Sequence, residues 1–268
     1  MSEEQNDILE SAAGEEKTFA GLKRFNLVMG FLHLVQGAIM LIFSNETSYP
    51  IFSNYLGFNT ETFSLSPTPE VFYELRFGPA VAAFLLISAV AHFYLATIGY
   101  EGYVRNLKKG KNPARFYEYA LSSSLMIVLI GLLAGLWDLG ALILIFGINA
   151  MMNFFGILME AHNQYTKRTD WTAFIYGSMA GIFPWIVIFI YFLGSINSGD
   201  AKPPAFVYAI IPTLFVFFNT FAINMVLQYK QVGRWKDYLF GERAYIVLSL
   251  SSKSVLAWII FAGTLAPV

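Results

Sequence analysis

Apolar residues gather into seven long runs, at 25–43, 77–99, 116–136, 140–160, 172–194, 204–229 and 245–265. A helix of about 20 residues crosses the hydrocarbon core of a bilayer at about 1.5 Å per residue. The pattern therefore predicts an all-α membrane protein, a seven-transmembrane-helix bundle. The polar stretches between the runs predict local features. Residues 44–74 form the longest connection, rich in Asn, Ser, Thr, Pro and aromatics, and are expected to fold on themselves. Asn112-Pro113 reads as the N-cap and first-turn proline of the third span. Gly177 and Gly181 give the fifth span a small-xxx-small face for close packing, while Pro184 and Pro212 are expected to bend the fifth and sixth spans.

Acidic residues (Glu3, Glu4, Asp7, Glu10, Glu15, Glu16) precede the first run, unlike the basic start of a signal peptide, so that span is expected to be retained. The expected division is a tail over 1–24 and a membrane domain over 25–268 that carries the outer loop 44–74. No internal repeat is evident, which weighs against a transporter built of two inverted halves.

Composition agrees with the membrane reading. The chain is 56% hydrophobic and 13% charged, with a mean hydropathy of +0.55, whereas a soluble domain carries about 25% charged residues. With 17 basic and 18 acidic side chains there is no excess charge to recruit a polyanion, and no nucleic-acid partner is expected. The absence of cysteine removes disulfides, thiolate nucleophiles and Cys-based metal sites. Charge placement is more informative. Fourteen of the 17 basic residues flank the spans on one side, and only Arg76 and Lys202 lie on the other. The positive-inside rule then puts the N-terminus in the cytoplasm, and the odd number of spans puts the C-terminus outside the cell. A multi-pass protein of the plasma membrane is expected.

The ionisable groups read as lying inside the spans are His33, His92, Glu118, Glu160 and Lys253. All fall in the cytoplasmic half or at the midplane, which disfavours a pump needing polar groups along a complete path. Lys253 is the costliest, at about 2.5–3.5 kcal/mol for insertion. Two readings are open: a salt bridge pinning two helices, or an amine condensed with a carbonyl ligand, since desolvation favours the nucleophilic neutral form. Glu118 either balances that amine or sits at headgroup level near Arg115. Tyr119 and Ser122 extend its polar face, and Ser249 stands one turn before Lys253. His33 and His92, at matching depth, are either core histidines or share a polar cavity; a metal site is not expected from two imidazoles. Asn149, Asn153, Gly156 and Glu160 form one stripe on the fourth span, and asparagines so placed also serve as interhelical glue. Trp185, Phe217, Phe218 and Trp258 could cage a flat ligand or simply pack.

A lysine in the middle of the seventh span resembles a retinal-binding rhodopsin, and a cytoplasmic N-terminus narrows the resemblance to heliorhodopsins. The segments ARFYEYALSSS, FVFFNTFAIN and YLFGERAYIVLSLSSKS carry it, with Glu118 where common pumps have Asp and Phe218 where they have Trp. The resemblance implies that Lys253 binds all-trans retinal as a Schiff base, with Glu118 the single counterion and Ser249 beside it. His33 and His92 would line an inner cavity receiving the proton. Asn149, Met152, Gly156, Pro184, Trp185, Phe218 and Trp258 would line the chromophore pocket, and Met225 stands where the family has glutamine. It also implies homodimers and an all-trans to 13-cis photocycle without net ion pumping. The expected function is a photoreceptor with a cytoplasmic signalling partner. A light-driven transporter or channel is the alternative, as is a light-regulated membrane enzyme, although no Ser-His-Asp set or metal cluster supports an enzyme.

Overall fold

Capping residues and apolar length set the helices, and the computed structural model describes residues 3–198 and 205–265. In chain order the helices are α1 (Glu3–Phe43), α2 (Phe77–Ala96), α3 (Tyr100–Leu107), α4 (Pro113–Ala134), α5 (Leu139–His162), α6 (Thr172–Asn197), α7 (Ala205–Tyr229) and α8 (Tyr238–Ile260), the last extended by a π turn over Phe261–Leu265. Among the described residues, seven stretches are long and apolar enough to span a membrane: Gly14–Phe43, Phe77–Ala96, Pro113–Ala134, Leu139–His162, Thr172–Asn197, Val207–Tyr229 and Tyr238–Leu265. Lys202 and the first residue of the run expected at 204–229 lie outside the described residues.

Local chemistry explains the boundaries. The Asn112 side chain accepts from the Arg115 amide at 3.3 Å with Pro113 in the first turn, as the sequence predicts. Asp138 and Asp237 cap α5 and α8 in the same way, each accepting a backbone N–H at 2.9 Å. Although α8 starts at Tyr238 rather than 245, Lys253 stands in the middle of its span, as the sequence expects. The acidic stretch before residue 25 is helical from Glu3 and continuous with α1. Short α3 was not expected; it buries Tyr103 and Leu107 against Phe19 and Leu22 of α1.

The expectation of an all-α chain needs one correction. Residues of the long connection over 44–74 and just beyond it form an antiparallel hairpin, β1 (Ser48–Asn59) with β2 (Ser64–Arg76), with a bulge between Ile51 and Phe52. The Asn59 side chain accepts the amides of Glu61 and Thr62 and so turns the chain at the tip. The Phe52 amide bonds to the Trp137 carbonyl at 2.8 Å, fastening the hairpin base to the α4–α5 connection.

Below the hairpin, the bundle core is apolar: Phe77, Phe84, Met126, Ile130, Ile188, Leu256 and Ile260 are all buried. α5 and α6 approach closely because a Cβ on Gly177 would stand 3.0 Å from that of Phe155. Pro184 and Pro212 lie inside α6 and α7, where each removes one backbone donor from the helix. The buried polar residues gather between Lys253 and the basic end.

Candidate functional site

Lys253 is 3% exposed, so its amine needs polar partners, and it has two. Its Nζ donates to Glu118 Oε1 at 2.9 Å and to Ser249 Oγ at 2.8 Å. The carboxylate is supported in turn: the Ser88 hydroxyl of α2 donates to the same Oε1 at 2.6 Å, and Ser122 adjoins it one turn further along α4. Three helices thus converge on one buried ion pair. The Tyr119 ring lies 5.0 Å from Nζ, and its hydroxyl is tied to the Tyr245 carbonyl at 3.2 Å.

From this amine a slot runs between α4, α5, α6 and α7. The cavity at Lys253 is bounded by Tyr119, Met152, Phe218 and Phe221. Those residues also bound a larger cavity of about 160 Å³, which extends to Asn149, Gly156, Trp185 and Met225. The walls are flat: Trp185 meets Phe218 edge-on at 5.3 Å, and Tyr119 meets Phe221 at 5.2 Å. Gly156 is needed here because any Cβ would strike the Phe116 ring. Asn149 belongs to both wall and bundle, donating to Ser123 and Ser124 at 2.9 and 3.0 Å. Pro184 is buried next to Trp185. Trp258 stands apart from these aromatics: it is 41% exposed, and its indole donates to Gln36 of α1 at 3.1 Å. Apolar, aromatic walls beside a buried amine have the chemistry that a polyene aldehyde such as retinal requires.

On the other side of the ion pair, Ser88, His92, Glu118, Ser249, Arg115 and Glu242 line an inner chamber of about 530 Å³ that opens sideways past the exposed Val90, Tyr94 and Leu121. His92 Nδ1 pairs with Asn26 Oδ1 at 2.8 Å, and its ring stacks on His33 at 5.5 Å and 14°. His33 is fully buried, and neither ring nitrogen meets a protein hydrogen-bond partner among the described residues. The sequence reading passed over Asn26 and Ser88. The helical spacings Asn26–His33 and Ser88–His92 put each on the face of a histidine and were the signal available.

Arg115 and Glu242 were also missed, because by sequence position both belong to the charged connections. Arg115 is 5% exposed and forms ion pairs with both Glu160 and Glu242. Glu118 therefore does not pair with Arg115, the alternative the sequence left open. Around this triad, Asn112 donates its amide to Glu160 at 2.6 Å and its side chain to Glu242 at 2.7 Å. Tyr103 donates to Glu242 at 3.0 Å; burial, then the Glu242 charge, push its phenol well above the ordinary range and keep it a donor. The guanidinium also lies 3.8 Å from the Tyr245 ring centroid. The cluster ties α4, α5 and α8 together at the basic end.

Seven membrane-crossing helices around a buried lysine beside an aromatic-walled cavity define a rhodopsin-type membrane protein. The chain belongs to the heliorhodopsin family, whose model matches residues 22–265. The family implies a retinal-binding rhodopsin embedded in a membrane. A comparison with curated proteins found no match.

Proposed function

We propose that the protein is a light-sensing photoreceptor in which Lys253 holds all-trans retinal and Glu118 is its single counterion. The observation that carries this reading is the Lys253–Glu118 contact at 2.9 Å at the end of the aromatic slot. Retinal bound there supplies light absorption and an all-trans to 13-cis isomerisation. Every other role falls to this chain's residues. Tyr119, Met152, Gly156, Trp185, Phe218 and Met225 hold the polyene, with Asn149 and Pro184 behind them. Ser249 and Ser88 orient the ion pair; Ser122 adds polarity on its α4 side. A proton leaving the Lys253 nitrogen is kept in the inner chamber, beside His92 and His33. With an apolar core below the hairpin, that proton returns by the side it left, and no ion is pumped.

The rest of the reading follows from charge placement and the family. The N-terminus lies in the cytoplasm, the hairpin and C-terminus lie outside the cell, and the plasma membrane holds the protein as a homodimer. Residues 25–268 form the working domain, and 1–24 form a cytoplasmic tail that is helical from Glu3 onward. The basic face meets a signalling partner. Adding all-trans retinal to purified apoprotein tests the central claim. A visible band that Lys253→Ala abolishes is expected; a band of undiminished height in that variant rejects the site. A light-driven pH change in intact cells, absent in Lys253→Ala, would establish transport instead.

A further inference from the structure

At the basic end, Asn224 and Gln228 of α7 donate to the Gly241 and Tyr238 carbonyls of α8 at 3.1 Å each, and a crevice of about 510 Å³ opens beside that seam. Its walls come from one face of each helix, Thr220, Ile223 and Leu227 on α7 and Ala244, Val247 and Leu248 on α8. Ile223 and Val247 are 56% and 46% exposed, so the crevice opens sideways toward lipid. A short 3-10 turn over Gly233–Lys236 roofs it. Gly233 allows that turn with φ of +55°, and the Trp235 indole bonds to Asn224 Oδ1 at 2.6 Å. Trp235 and Phe240 meet edge-to-face at 5.0 Å, so the roof is built before any occupant arrives.

Two arginines stand at the mouth. The Arg234 guanidinium rests 4.7 Å from the Phe240 ring centroid, and Arg243 lines the crevice from α8. Among the described residues neither lies within ion-pair distance of a carboxylate. The reason is local. Glu242, the acid next to Arg243, is turned inward onto Arg115, and Asp237 is taken up in capping α8. A cationic mouth over an apolar groove in a membrane-facing wall has the chemistry of one kind of molecule.

We propose that this crevice binds an anionic phospholipid, its phosphate held by Arg234 and Arg243 and an acyl chain lying along α7 and α8. Charge complementarity supports the headgroup, since basic pockets between spans hold anionic lipid headgroups. The apolar walls require the chain, since free phosphate leaves them unfilled.

Native mass spectrometry of the retinal-loaded protein, released from vesicles of equal phosphatidylglycerol and phosphatidylcholine, tests this. One phosphatidylglycerol is expected to be retained in preference to phosphatidylcholine. In Arg234→Gln/Arg243→Gln that preference falls roughly 10- to 30-fold. Lys167→Gln/Arg168→Gln removes as much charge from the exposed α5–α6 connection, away from the crevice, and is expected to retain the lipid. Ala244→Phe fills the groove with both arginines intact, and is expected to release it. Equal retention of the two lipids by the unaltered protein overturns the proposal. So does equal loss in both charge variants, which means general surface attraction, or displacement of the lipid by inorganic phosphate alone.

Discussion

A single oxygen, Glu118 Oε1, accepts from both Lys253 and Ser88, so its charge is shared between an amine and a hydroxyl. Two expectations follow for the retinal-loaded protein. Glu118→Gln removes the negative partner, which disfavours the charged nitrogen, so the visible band loses its proton at lower pH. An unchanged midpoint in a pH titration of the band excludes Glu118 as counterion. Ser88→Ala leaves the charge but removes a bond to it, worth roughly 1.5–3 kcal/mol when one partner is charged. The carboxylate then takes up a proton more readily, and the acid-induced red shift begins about 1–2 pH units higher. If Ser88 merely packs, that onset stays in place. Lys253 and Glu118 were readable from sequence because a charge in an apolar run is conspicuous. Ser88 was not, since a serine in a helix most often satisfies its own backbone.

Among the helices, Arg115 matters most. One guanidinium serves carboxylates on α5 and α8 from its place on α4. Arg115→Gln leaves two buried carboxylates unbalanced, and breaking such a pair costs about 3–5 kcal/mol. The visible band is expected to bleach at a clearly lower temperature in Arg115→Gln, and to change little in Lys109→Gln on the exposed connection. Equal melting of the two variants removes the triad as a support of the bundle. The sequence announced every span, and even the Asn112-Pro113 start of α4, because apolar length and capping are local properties. The ends were less legible. α8 begins seven residues before its expected start because Tyr238–Ala244 mixes charged and aromatic residues, and tertiary pairing of Glu242 decides its state. The hairpin was legible only as a loop with turn-forming and aromatic residues. Its strand register comes from pairing across 12 to 13 residues on each side, not from an alternating pattern.

For the whole molecule, the asymmetry of charge and polarity sets the orientation in the membrane. Because the chain lacks cysteine, a single introduced thiol reports its own side without background. In intact cells, Thr62→Cys at the hairpin tip is expected to react with a membrane-impermeant maleimide. Lys167→Cys in the α5–α6 connection is expected to react only after the membrane is opened. The reverse pattern would invert the topology and with it the assignment of the inner chamber. The aromatic slot was legible in part: Trp185, Phe218, Gly156 and Met225 meet in it, whereas Trp258, on the same helix as Lys253, looks toward α1. Helical phase separates them, and only the assembled bundle reveals which side of α8 is inward. The Arg115 cluster has a mechanical consequence as well. It works as a keystone, since α4, α5 and α8 cannot part at the basic rim without stranding a bare charge.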